Sequence, residues 1–177
     1  MLFGHTILLK DRSAAARVTY KKLARIYPYA TYFHAGHLFM SDESVLFVKE
    51  RAGNWGPPKG RAEAAETHPL QTADREVSEE LGFYPASEIV AMIVVERPDL
   101  GNPAVLVYFV NMVEEKITAQ PMKRTWRRAD VPVEVEKIDH EIVGTRWYRF
   151  VDLTYLRDIS VTTKILLNTF FMYLRCE

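Results

Sequence analysis

An α/β sheet covered by helices on both faces is the fold this sequence predicts, and three observations lead there. Apolar residues make up 48% of the 177, enough for one packed domain and too many for a disordered chain. Strand-like and helix-like runs follow one another in mixed order. Glycine and proline gather between them, where turns belong.

Taken in chain order, residues 1–28 read as a helical extension and 29–177 as the main domain. In the extension, SAAARVTYKKLARIY has helical character, with Ser13 as N-cap and Pro28 as the stop. TYFHAGHLFM and VLFVKE are expected strands joined by the turn SDES. RAGN, WGPP and KGRAEAAE form a long loop. A helix is expected from about Pro69 to Leu81, with proline in its first turn and Gly82 ending it. EIVAMIVVE and AVLVYFVNMV are strands on either side of the turn RPDLGNP. Residues 114–138 are polar and basic, without a periodic pattern. HEIVGTRWYRF returns to strand, and TTKILLNTFFMYLRC closes as a helix.

Bulk properties narrow the function. Lysines and arginines number 23, as do aspartates and glutamates, so the whole molecule has no field to steer nucleic acid and any basic site is local. Cys176 is the single cysteine, which excludes an internal disulfide and suits a reducing compartment. The longest apolar run, ILLNTFFMYL, is too short to span a bilayer, so no membrane partner is expected. No basic segment precedes MLFGHTILL, and Lys10, Asp11 and Arg12 interrupt the apolar part, unlike a secretory signal. A cytoplasmic location is expected. The mitochondrial alternative rests on the basic stretch from Lys10 to Arg25, where Asp11 is the one acid.

The stretch REVSEELGF carries the chemistry. Glu76, Glu79 and Glu80 stand at i, i+3 and i+4 on the predicted helix, where like charges repel by about 0.2–0.5 kcal/mol per pair. Leu70, Ala73, Val77 and Leu81 form the apolar stripe beside them. A solvated acidic flank is the bland explanation; a cation site is the other. The preceding loop favours the second. Gly60, then Glu66 after five residues, then Arg75-Glu76-Val77-Ser78-Glu79-Glu80-Leu81-Gly82-Phe83 resembles the signature of the Nudix hydrolases. Every fixed position is filled. One departure exists: eight residues separate Glu66 from Arg75 where the family has seven, and the extra residue falls within THPLQTAD. The resemblance extends to the strands before the loop and to EIVGTRWY after it, and leaves residues 1–28 unexplained.

What the resemblance implies is a Nudix-type α/β/α sandwich with a mixed sheet, and diphosphate cleavage. Glu76, Glu79 and Glu80 would be ligands of Mg²⁺, with Mn²⁺ as the alternative, and the Lys59 carbonyl a further ligand. Such cations prefer oxygen donors, neutralise the diphosphate and activate water. Glu66 and Arg75 would pair as a brace, with Gly60 and Gly82 as structural members of the motif. Glu76, Glu79 and Glu141 are the catalytic candidates, with Glu141 either general base or extra ligand; His140 beside it is the weaker relay.

The substrate is read from the flanks. GPPKG is not a P-loop, because its lysine precedes the final glycine. NWGPPKGRAE is similar to the loop of asymmetric diadenosine-tetraphosphate hydrolases, and loops of the decapping, RNA 5′-pyrophosphohydrolase and diphosphoinositol branches are similar too. Lys59 is therefore a candidate phosphate contact, and Tyr108 a candidate for stacking on adenine. KRTWRR places Lys123, Arg124 and neighbouring cations around Trp126, a combination suited to polyphosphate or an RNA end. The leading expectation is a nucleotide polyphosphate partner such as diadenosine tetraphosphate. RNA 5′-end hydrolysis is the alternative, and a Nudix-fold module that binds nucleotide or RNA with weak turnover is the second.

Overall fold

The computed structural model describes residues 3–51, 53–113 and 142–174. Its centre is a mixed eight-stranded sheet. β2 (Tyr32–Met40) and β7 (Ala104–Val113) pair in parallel over nine residues, while the other pairings are antiparallel. The main order is β1 (Phe3–Leu8), β6 (Ser87–Arg97), β7, β2, β3 (Ser44–Glu50) and β4 (Trp55–Gly56), with β5 (Lys59–Arg61) added to β2 and β8 (Ile142–Arg149) to β3.

Helices cover both faces. α3 (Pro69–Glu80) lies against β2, β5 and β7, and α4 (Val161–Tyr173) against β1 and β6. Strand alternation sorts the core accordingly. Val105, Val107 and Phe109 pack with Leu70 and Ala73 of α3, whereas Leu106, Tyr108 and Val110 pack with Leu166 and Phe170 of α4. Because both faces are covered, β7 is apolar almost throughout and shows no clean alternation in sequence. The expected α/β/α sandwich is the observed one.

The first residues differ from expectation. Phe3–Leu8 form β1, an edge strand paired with β6 from Phe3 opposite Glu96 to Leu8 opposite Ala91. The single expected helix is two: α1 (Arg12–Ala16) and α2 (Tyr20–Ile26). Asp11, not Ser13, caps the first, accepting from the Ala14 amide at 2.9 Å. Thr19 caps the second, accepting from the Lys22 amide at 3.1 Å. A cap in mid-sequence starts a new helix, which is why the run breaks. The segment read as an extension is thus built into the sheet and into the core under α3 through Ala15 and Leu23.

α3 obeys its sequence signals. Gln71 reaches back so that its side-chain oxygen accepts from the Thr67 and His68 amides at 2.9 and 3.1 Å. Gly82 ends the helix at φ 74, its amide donating to Val77 O at 3.2 Å. No helix among the described residues is long and apolar enough to cross a membrane.

Candidate active site

β5 runs along β2 and brings Lys59 and Gly60 directly over the acidic side of α3. The Lys59 amide donates to Glu80 Oε2 at 3.2 Å. Gly60 sits so close to Glu76 that an added Cβ would fall inside 3.0 Å of all three carboxyl atoms. This close approach requires glycine. Glu80 also lies within hydrogen-bonding reach of Glu76, and both are largely buried. Burial pushes the Glu76 carboxyl upward; Arg75 opposes that and Glu79 adds to it.

Arg75 answers the crowding of like charge. Its Nη1 donates to Glu76 Oε1 at 2.7 Å and Glu79 Oε2 at 3.0 Å, and its Nε to Glu66 Oε2 at 3.1 Å. Nη2 donates to Arg61 O at 2.9 Å, tying helix to loop. Glu66 further accepts from the Glu63 amide at 2.8 Å and Thr72 Oγ1 at 3.1 Å. Burial raises the Glu66 carboxyl, but Arg75 and these donors hold it below the usual carboxylate range. The loop carrying the additional residue thus still delivers Glu66 to Arg75.

The expected carboxylate cluster is only partly gathered. Glu76 and Glu80 meet beneath Lys59 and Gly60, while the more exposed Glu79 is turned to Arg75. Among the described residues, no three His, Cys, Asp or Glu side chains form a metal cage by themselves. The donors present are nevertheless all oxygen and anionic, the chemistry that suits a hard divalent ion. Lys59 Nζ lies 3.7 Å from Glu50 Oε1. Glu50 is the register partner of Ile142.

Tyr108 must be corrected. It is fully buried beneath α4 and offers no ring face to a substrate. Among the described residues its hydroxyl has no hydrogen-bond partner, and burial pushes its pKa upward, with Glu50 and Glu80 adding to the effect. Glu141, His140, Lys123, Arg124 and Trp126 lie outside the described residues.

The sequence reading missed a polar network on the opposite side of α3. His37, fully buried on β2, donates from Nε2 to Asp74 Oδ1 at 2.8 Å, and its Nδ1 accepts from Asn111 Nδ2 at 2.9 Å. Asp74 also pairs with Arg12, and the Tyr84 hydroxyl donates to Asn111 Oδ1 at 3.2 Å. Burial would raise Asp74, yet His37 and Arg12 hold it below its ordinary value. His37 also donates its backbone amide to Pro58 O at 3.2 Å, so one residue touches both the loop before Lys59 and the helix. Its signal was strand parity: Ala35, His37 and Phe39 share a face, which puts the imidazole inside the core.

A mixed sheet between helices, with a glycine-containing strand pressed onto an acidic helix, defines the class. The NUDIX domain model matches residues 33–166, and the chain belongs to that family, as a hydrolase of the kind that acts on pyrophosphate bonds. No curated protein matches significantly. Among solved structures, the NUDIX domain of Shewanella oneidensis NrtR, complexed with ADP ribose, is similar with a TM-score of 0.56 at 13% identity, covering 84% of this chain and 90% of that one. A NUDIX hydrolase from Nitrosomonas europaea gives 0.51 at 18% identity, over 77% and 84%. A C. elegans Ap4A hydrolase gives 0.49 at 18%, over 81% and 98%.

Proposed function

We propose that this hydrolase is Mg²⁺-dependent and cleaves a dinucleoside polyphosphate such as diadenosine tetraphosphate. The observation that carries the reading is the approach of Lys59 and Gly60 onto Glu76 and Glu80. Glu76, Glu79, Glu80 and the Lys59 carbonyl would hold Mg²⁺ or Mn²⁺, and Glu141 would act as base or further ligand. Glu141 immediately precedes Ile142, which pairs with Glu50 beside Lys59. When bound, the ion neutralises the diphosphate and lowers the pKa of water.

The chain's own residues do the rest. Arg75 holds Glu76 and Glu79 in place from one side while Glu66 fixes Arg75 from the other. Lys59 offers its ammonium group to a phosphate at the mouth of the site. Water adds to one phosphorus, the bridging oxygen leaves with its electron pair and takes a proton, and the products are a nucleoside triphosphate and a monophosphate. The substrate choice is supported by Trp55, Pro58, Lys59 and Gly60, which fill the loop pattern similar to that of the diadenosine-tetraphosphate enzymes.

The test is a panel of diadenosine tetraphosphate, capped RNA and triphosphorylated RNA, each with and without Mg²⁺. Mg²⁺-dependent release of ATP and AMP, faster than either RNA reaction, supports the reading. Preference for an RNA end overturns it and assigns the cations of KRTWRR to RNA.

A further inference from the structure

Beside Lys59, on the α4 face of the sheet, lies a cavity of about 190 Å³. At roughly 30 Å³ per water in the liquid, that is room for about six waters, the scale of a small planar ring and not of a whole nucleotide. It is smaller than the several hundred cubic ångströms of sites that enclose whole drug-sized ligands. Its walls are built rather than accidental. Trp55 is fixed by its amide, which donates to Asp158 O at 2.6 Å, and by an edge contact to Tyr148 at 5.2 Å. Gly56 lets β4 close against α4, since a Cβ there would come within 2.8 Å of Thr163 Oγ1. Ala104 and Leu106 supply an apolar wall from β7.

Polar groups reach the cavity from both sides: Ser160, Thr162 and Thr163 at the start of α4, and His34, Glu50 and Lys59 from the sheet. His34 lines the cavity, and its buried Nδ1 has no hydrogen-bond partner among the described residues. Burial, then Lys59 and Arg61, push its pKa down to about 4, so at neutral pH the ring offers one donor and one acceptor. Lys59 and Glu50 stand at the same cavity. Lys59 therefore joins two places: its amide holds Glu80 of the acidic helix, and its side chain borders the slot.

We propose that this slot, between Trp55, Ala104 and His34, receives a single nucleobase of the substrate whose phosphates lie at Lys59 and the α3 carboxylates. The inference rests on the nucleotide reading above and deepens it. An aromatic wall, an apolar wall and a neutral donor–acceptor ring match a planar heterocycle with polar edges. They do not match a cyclitol covered in phosphate, which would need cations on every side. One slot of this size takes one base, so a dinucleotide is held by one half.

The test is equilibrium binding of AMP, ribose 5-phosphate and inorganic pyrophosphate to the full chain, wild type and two variants. Ala104→Leu fills the slot; His34→Leu removes its donor–acceptor edge; thermal melts verify that each is folded. Wild type is expected to hold AMP roughly tenfold more tightly than ribose 5-phosphate, within the range that stacking one base on an aromatic ring contributes. Each variant should lose that preference and keep its pyrophosphate affinity. Equal binding of AMP and ribose 5-phosphate by wild type, or full retention of the preference in either folded variant, overturns the slot. Base preference without cleavage of diadenosine tetraphosphate leaves the slot standing and removes the catalytic reading; cleavage without base preference does the reverse.

Discussion

Replacing Gly60 by alanine perturbs the site at its tightest point. The new methyl carbon would lie inside 3.0 Å of the Glu76 carboxyl atoms, a separation that real Cβ atoms essentially never show. Glu76 is only 8% exposed, and Arg75 holds its Oε1 at 2.7 Å, so the carboxylate has little freedom to swing away. Clearing the methyl displaces it by about 1 Å, a misplacement that costs on the order of 100-fold in rate. The assay is kcat/KM for the best substrate across a Mg²⁺ titration, with a thermal melt beside it. A fall of about 100-fold with a modest melting shift is expected. Wild-type kcat/KM at every Mg²⁺ level would refute the idea that Glu76 works from beneath Gly60.

Asp74→Ala orphans the buried His37 Nε2 and should cost about 1–3 kcal/mol, several degrees of melting temperature at this chain length. Arg12→Ala, which removes an exposed pair with Asp74 and a contact with Tyr84 but leaves the buried His37–Asp74 bond in place, should cost about 1 kcal/mol or less; a loss equal to that of Asp74→Ala would contradict the network. Tyr108→Phe removes a buried, unpartnered hydroxyl and should raise the melting temperature by a few degrees, whereas a lower value would show the hydroxyl to be satisfied. Acid should destabilise in two stages. His34 and His37 have folded pKa values below the ordinary 6.5, so the unfolded chain binds protons first and stability falls as pH drops from 6.5, for His34 down to about 4. Asp74 and Glu66 are also depressed, so a second loss follows as pH falls through their unfolded values toward their lower folded ones. Melts from about pH 7 to pH 3 measure this, and a flat profile would contradict the assignments.

Local signals made the acidic helix readable. Proline at its start, Gly82 at its end and the 3.6-residue stripe are all written within α3, and the Glu66–Arg75 brace follows from residues nine apart. What escaped depends on distant partners. β1 is a strand because β6, some ninety positions later, offers it an edge. β4 and β5 are two and three residues long, too short to show periodicity, yet they carry Trp55, Lys59 and Gly60 into place. Tyr108 was misread because β7 is covered on both faces, so its aromatic residues mark core rather than a binding surface. The Asp74–His37 pair needed a helix and a strand 37 residues apart to meet.

The proposed hydrolysis requires divalent-ion binding by the α3 carboxylates, which is measured by titrating Mn²⁺ into the full chain and following free ion by electron paramagnetic resonance. Wild type should hold Mn²⁺, Mg²⁺ should displace it, and Glu76→Gln, Glu79→Gln and Glu80→Gln should each weaken it by roughly tenfold or more while the fold persists. Mn²⁺ affinity that is unchanged in all three folded variants would contradict it.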